Sequence, residues 1–331
     1  MKVIQIGPNE AEQRLDRFLL KFMNTASKGF IEKMIRKKRI KVNRERAQSG
    51  YTLKVGDEIQ LYLAEETMEK FTQKKSTTLS LKDVNILYED EQLLVLNKSK
   101  NMLTHGEGSS LLNRAITYLI RSGSFDPKNE ISFTPACCNR LDRNTSGIVM
   151  IGKNFAGLKG INDKIKDNRV RKYYVTLVKG CITESQTLVG FWIKNGEQVS
   201  ITEENPKGEA KPVITKIHPI DNNGKFTLLY IELVTGRTHQ IRAHLKSIGH
   251  PLVGDPKYGD ERVNKLFKKD YSLSNQFLHA HKIIIEEYTE DGSELIITAP
   301  ITKSLKLILN NLKLDDNLDK VSILENPKAS D

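Results

Sequence analysis

Apolar residues recur with a helical period near the start of the chain. Leu15, Phe18, Leu19 and Phe22 fall at i, i+3, i+4 and i+7, which predicts one buried stripe on a helix beginning near Ala11. A second helix follows from an N-cap at Ser27, with Phe30, Ile31, Met34 and Ile35 facing inward and Lys33, Arg36 and Lys37 outward. Arg39 to Asn43 alternates polar and apolar like a strand, Val55-Gly56-Asp57 reads as a turn, and Glu58 to Leu63 closes with another strand. Residues 64–80 are polar and aperiodic, so a linker and a domain boundary are expected there.

Past that boundary the period changes. Residues 84–88 and 93–97 read as strands around a Glu89-Asp90 turn, Leu111 to Ile120 as a helix, Ile148 to Ile151 as a strand, and Asn154 to about Asp167 as a helix. Further strands are predicted at 173–178, 213–218, 226–234, 281–288 and 295–299, with a closing helix at Ile301 to Leu312. Several strands follow one another without an intervening helix, which favours an α+β fold with an antiparallel-rich sheet over a doubly wound parallel one. The expected organisation is a small domain at 1–63, a linker at 64–80, a large domain at 81–313 and a loose tail at 314–331.

Composition sharpens the picture in two ways. Hydrophobic residues make up 38% of the 331 and charged residues 28%, enough for a packed core and against disorder over most of the length. The formal net charge is +11, and residues 1–63 hold fourteen Lys/Arg against seven Asp/Glu, so +7 sits in the first fifth of the chain. The peak runs through Lys28, Lys33, Arg36, Lys37, Lys38, Arg39, Lys41, Arg44 and Arg46, a cluster that fits a polyanion such as nucleic acid or an anionic membrane surface. The N-terminus lacks an apolar signal segment and no stretch approaches the roughly 18 apolar residues of a membrane span. Cys137, Cys138 and Cys181 form no C-x-x-C pattern, so a reduced, cytoplasmic setting is expected.

Three segments are dense in reactive side chains. In Arg140-Leu141-Asp142-Arg143-Asn144-Thr145-Ser146-Gly147 a carboxylate lies between two cations that favour its charged form, so Asp142 serves either as a nucleophile or base or as a turn cap. In Thr235 to Leu245 a strand end runs into a short amphipathic helix carrying Arg237, His239, Gln240, Arg242 and His244. The two histidines are spaced i, i+5 rather than the i, i+4 of a helical zinc pair, so no metal is expected. In Arg171 to Val178 adjacent tyrosines fall on opposite faces of a strand, with one of them expected inward. Phosphate-binding, dinucleotide-binding and serine-nucleophile motifs are missing from the sequence.

The stretches RLDRFL (14–19), RKKRIKVN (36–43) and LKVGDEI (53–59) resemble the small RNA-binding module of the ribosomal-protein S-four type. That resemblance assigns the basic cluster to phosphate contact. RLDRNTSG (140–147), RKYYVTLVKG (171–180), LVTGRTHQIRAHLKSIGHPLVGDPKYG (233–259) and FLHAHKI (277–283) together resemble the large-subunit ribosomal pseudouridine synthase family, over roughly residues 84–312. The S-four-type module in front completes the domain order of that family's C/D-type members. The implied fold is a mixed, largely antiparallel sheet flanked by helices, and the implied activity is isomerisation of uridine in ribosomal RNA without a cofactor.

The family's catalytic aspartate falls on Asp142, the tyrosine of its R-K-x-Y motif on Tyr174, and the arginine that pairs with the aspartate on Arg242, with Arg237 as the rival by spacing. Arg140, Arg143, Arg237, His239 and Gln240 are implied as support around these three. The implied partner is large-subunit ribosomal RNA or its precursor, met by a monomer away from any membrane. One departure stands out. Where the family reads close to N-K-P-x-G-L-x-x-H, this chain reads Asn97-Lys98-Ser99-Lys100-Asn101-Met102-Leu103-Thr104-His105, keeping the lysine and the histidine but neither the proline nor the glycine.

Overall fold

The computed structural model describes residues 1–72, 83–196, 198–205 and 210–318. The first part is a four-stranded antiparallel sheet backed by two helices. Its elements are β1 (Lys2–Gln5), α1 (Leu15–Phe22), α2 (Lys28–Arg36), β2 (Ile40–Val42), β3 (Glu45–Arg46) and β4 (Glu58–Leu61), in the sheet order β1-β4-β2-β3. The apolar stripe of α1 is buried as its spacing requires, with Leu15, Phe18 and Leu19 fully enclosed. The helix starts at Leu15 rather than Ala11, because Arg14 is extended (φ −67°, ψ 143°). The hydroxyl of Ser27 accepts the Phe30 amide and caps α2.

The segment read as a linker carries a short helix, α3 (Glu65–Phe71), whose Met68 is buried in the N-terminal core and whose Phe71 ring lies 4.5 Å from that of Phe30. A single apolar position per turn is enough to fold seven residues once a core is there to receive it. The rest of the expected linker, residues 73–80, lies outside the described residues.

The second part is built on one large mixed sheet. Its elements run β5 (Ile86–Glu89), β6 (Leu93–Lys98), α4 (Leu111–Arg121), β7 (Ala136–Cys137), β8 (Ser146–Gly152), α5 (Phe155–Lys166), β9 (Val170–Lys179), β10 (Gln186–Asn195), β11 (Gln198–Thr202), β12 (Lys211–Asn222), β13 (Phe226–Leu233), α6 (Gln240–Ser247), α7 (Glu261–Tyr271), β14 (Leu278–Ile285), β15 (Leu295–Thr298) and α8 (Lys303–Asn311). The strand order is β11-β10-β12-β13-β9-β14-β8-β6-β5, with β15 on β14 and β7 on β8. The pairing of β14 with β8 is parallel and the other pairings are antiparallel, so the expected α+β fold holds.

Helices cover both faces of this sheet. The face of Tyr174 packs with Leu229, Ile231, Ile241 and Leu245, while the face of Tyr173 packs with Tyr230, Phe267, Leu305 and Ile308. The adjacent tyrosines therefore do point to opposite sides, but both are buried, since α6 and α8 each supply an apolar surface. Tyr173 stacks on Tyr230 at 5.3 Å between ring centroids. The expected tail starts later than residue 314: Leu314 is buried in the second of these cores, and residues 319–331 lie outside the described residues.

Where β8 meets β14, Ala280 pairs with Gly147, whose φ is +112°. A Cβ built there would stand 2.1 Å from the Ala280 carbonyl oxygen, so the two backbones approach this closely only because the side chain is absent. The crossing point lies directly after the loop that carries Asp142.

Candidate active site

The loop 140–145 is gripped from two sides. On one side the Thr104 hydroxyl donates to the Leu141 carbonyl (2.8 Å) and accepts the Leu141 amide (3.2 Å). Beside it the fully buried Lys98 donates to the carbonyls of Ser99, Met102 and Arg143. Burial pushes the Lys98 ammonium down to about 8, with the charge of Asp142 opposing that fall. On the other side Asn144 donates to the Asn275 side chain at 2.6 Å and Gln276 to Thr145 at 3.3 Å, while Ser146 and His279 share a hydrogen bond of 2.9 Å. The 97–105 segment, which departs from the family pattern, is thus a direct support of the Asp142 loop. His105 is exposed.

Asp142 is half-buried and meets Arg242 at 2.8 Å, Nη1 to Oδ2. Arg242 lies on α6, directed inward by the same helical turn that buries Ile241 and Leu245. Its rival Arg237 has an exposed side chain and contributes its backbone amide to Gln240 Oε1, 3.0 Å. The arginine in contact with Asp142 is therefore Arg242. Arg140 and Arg143 flank Asp142 in sequence, but their side chains are exposed. Arg143 faces the cluster through its carbonyl.

Tyr174 projects from β9 into the same cluster, packed with Leu141, Ile241 and Ala280. Burial, and then the negative charge of Asp142, push its phenol well above the ordinary range, so it stays protonated at neutral pH. His239 begins α6 in a left-handed conformation (φ 57°) and sets its Nε2 3.7 Å from Asp142, too far for a hydrogen bond. Its Nδ1 is 3.0 Å from the Tyr258 hydroxyl. Burial lowers its pKa, Asp142 works the other way, and Arg242 and Lys257 lower it further. Gln240 locks the turn, donating to Ile214 O and Thr215 Oγ1 while its carbonyl accepts from Thr235 and Arg237. His244 turns away to the Thr215 hydroxyl at 3.0 Å, and burial takes it down to about 4. Among the described residues no three His, Cys, Asp or Glu side chains gather as a metal site, and no helix is long and apolar enough to cross a membrane.

Two residues of the cluster escaped the sequence reading. Asp255, fully buried, accepts Nε and Nη2 of Arg242 at 2.6 and 2.8 Å, and Tyr258 lays its ring 5.0 Å from the guanidinium carbon. Both stand in the segment GDPKYG (254–259), where nothing in the spacing ties them to Arg242, thirteen and sixteen positions earlier.

The basic cluster is a separate surface. Lys28, Lys33, Arg36, Lys37, Lys38, Arg39, Arg44 and Arg46 are exposed, and Lys41 is half-buried with its Nζ 5.5 Å from the centre of the Tyr62 ring. Asn43 and Arg44 both have positive φ, the backbone of a tight hairpin turn between β2 and β3. The Asn43 side chain pins that turn by accepting the Glu58 amide and donating to Asp57.

Comparison with known proteins agrees with this architecture. Residues 92–247 match the family model for RNA pseudouridylate synthases and residues 13–59 that for the S4 domain. The chain is 32% identical over 320 residues to ribosomal large subunit pseudouridine synthase C of Vibrio vulnificus, covering 95% of this chain and 97% of that one. It is 31% identical over 324 residues to the protein of the same name from Escherichia coli K12, with the same coverage. Among solved structures, human RNA pseudouridylate synthase domain containing 4 shares the fold, with a TM-score of 0.57 at 19% identity over 70% of this chain and 94% of that one. With an aspartate loop, a paired arginine and an S4 domain in one chain, and relatives matched along almost its full length, this protein belongs to the RNA pseudouridine synthase family and is an isomerase of uridine in RNA.

Proposed function

We propose that this enzyme converts uridines of large-subunit ribosomal RNA to pseudouridine, with Asp142, Tyr174 and Arg242 as its catalytic residues. The observation that carries the assignment is the ion pair of 2.8 Å between Asp142 and Arg242 beneath the buried Tyr174. The substrate class rests on the names of the Vibrio and Escherichia relatives and on the basic S4 domain.

The reaction breaks the bond between ribose and uracil nitrogen, turns the base and rejoins it through carbon five; the proton of carbon five is lost and the freed nitrogen takes one up, with no net redox change. It needs a base lifted out of the RNA stack, a charged carboxylate beside sugar or ring, and walls that retain the freed uracil. Asp142 supplies the carboxylate. Arg242 orients it and stabilises its charge. Tyr174, held as a neutral phenol, serves as a wall against the base and a hydrogen-bond donor rather than as a ready base. Arg140, Arg143, Arg237 and His239 frame the entrance, Gln240 holds the turn before α6 from within, and the cations at 28–46 grip phosphates so that the chosen uridine reaches Asp142. We place the RNA-gripping domain at 1–63, extended by the packing of α3, and the catalytic domain at 81–313, extended to Leu314, in a cytoplasmic monomer.

Mapping pseudouridine in large-subunit RNA from cells with and without the protein tests this reading. Loss of specific positions, restored by the wild-type chain and not by Asp142→Asn, is the expected result. An unchanged map, with unmodified RNA also inert to the purified protein, overturns it.

A further inference from the structure

Arg242 is held to Asp255 by two hydrogen bonds and to Asp142 by one. A guanidinium offers five N–H donors in a rigid plane, and a carboxylate taking Nε and Nη2 fixes that plane completely. Only the Nη1 side is then left facing Asp142. The guanidinium carbon lies over the Tyr258 ring, 5.0 Å from its centroid, which adds a cation–π contact to the hold on Arg242.

Asp255 is itself immobile. It is fully buried, and its Oδ1 also accepts the amides of Lys257 and Tyr258 at 2.9 and 3.0 Å. Burial alone would raise its pKa, but the hydrogen bonds and charge of Arg242 and the two amides outweigh it and hold the carboxyl below its usual range. The turn around it is clamped from α7, where Asn264 accepts the Gly254 amide at 2.8 Å and donates to the Asp255 carbonyl at 2.7 Å.

We propose that Asp255 is the positioning residue of this active site: it clamps Arg242 edge-on so that a single N–H meets Asp142 and the rest of that carboxylate stays free for the uridine. Without the clamp, Arg242 swings into the two-pronged pairing that arginine makes with a lone carboxylate, and both oxygens of Asp142 are occupied. The clamp also shares the arginine's charge between two anions, so Asp142 is stabilised without being quenched. The other groups facing Asp142 are Lys98 from β6, Tyr174 from β9, His239 at the start of α6 and Tyr258, and of these Tyr258 alone, through its backbone amide, is hydrogen-bonded to Asp255 among the described residues. The inference rests on Asp142 being the catalytic carboxylate.

The test uses the full-length protein on a ribosomal RNA fragment. In Asp255→Asn the amide oxygen, standing in place of Oδ1, continues to accept the Lys257 and Tyr258 amides and Arg242 Nη2, while an NH2 group is set against Arg242 Nε–H, so the turn survives and the two-bond clamp loses the prong that fixes the guanidinium plane. The expected result is a fall in kcat of about 100-fold, the scale of a misplacement of about an ångström, with KM and RNA affinity within a few-fold of wild type. Arg242→Lys keeps the charge but cannot be clamped by a fork, and a comparable loss of kcat is expected. Adding Asp255→Asn to Arg242→Lys should cost little more, because both changes break the same interaction. A wild-type kcat in Asp255→Asn, a loss confined to KM, or additive losses in the double variant overturns the proposal. If Asp255→Asn fails to fold, Arg242→Lys decides alone, and wild-type turnover there overturns it. Turnover surviving in Asp142→Asn sinks the underlying assignment, whereas an inert Asp142→Asn beside a fully active Asp255→Asn sinks only the clamp.

Discussion

The cations of the S4 domain and the single arginine of the catalytic cluster use the same chemistry in opposite ways. Along α2 and the β2–β3 hairpin, eight of the nine basic side chains are exposed, and the Lys28–Glu32 pair at 3.7 Å leaves both partners largely in water. Such charges act additively and are screened by salt, so each contributes little and none is indispensable. Arg242 is buried between two carboxylates and under a tyrosine ring, where no solvent can stand in for a missing partner. On the proposed roles, affinity is spread over many replaceable groups, and chemistry is concentrated in a few that act as a unit.

The sharpest way to break that contrast is Asp142→Asn, which removes a charge and almost no volume. Turnover is expected to vanish while RNA affinity stays within a few-fold, and a binding titration beside a pseudouridine assay checks both. A residual rate above a few per cent removes Asp142 from the chemistry. Next in size is Arg242→Met. It leaves Asp255 buried and unpaired, so we expect a strong loss of turnover and a destabilisation of about 3–5 kcal/mol, measured by urea unfolding. If Arg237→Met is the more damaging change, the division between exposed and buried arginines fails. At Tyr174 the two parts of the side chain separate: Tyr174→Leu should lower kcat more than Tyr174→Phe, because the wall disappears along with the hydroxyl. Equal rates for the two variants would assign the role to the hydroxyl.

The smallest effects belong to the exposed cations. Replacing Arg36, Lys37 and Lys38 by glutamine should leave turnover at saturating RNA unchanged. The slope of log affinity against log salt should fall by about 0.7 to 0.9 for each phosphate that the protein no longer neutralises. A kcat effect comparable to that of Arg242→Met would show that the two regions are one machine.

How much of this was legible in the sequence follows the same division. Asp142, Tyr174 and Arg242, which the fold brings into one cluster, could be singled out because each stands in a distinctive run of neighbours, and the long strands β9, β13 and β14 because continuous apolar runs survive burial on both faces. The hairpin β10–β11 was not predicted. Its outward face carries Val189, 64% exposed, beside an inward Gly190, so the alternation is blurred. Helix α7 was missed for a related reason: Phe267 is its one buried side chain, too few for a stripe. Asp255 was invisible because its meaning lies in a pairing with Arg242 that only the folded chain creates. The supports of the Asp142 loop, Thr104 and Lys98, were hidden where the sequence leaves its family's pattern, since their hydrogen bonds end on backbone carbonyls that any residue supplies.

The crossing of β8 and β14 at Gly147 has a genetic consequence. Any mutation of that codon to another amino acid places a Cβ against the Ala280 carbonyl oxygen and also forces a backbone angle that side chains resist. The obstacle is main chain, so trimming Ala280 to glycine in a second mutation returns no space. Alleles at this position should therefore behave as nulls without intragenic suppressors at the crossing, although the glycine carries no reactive group.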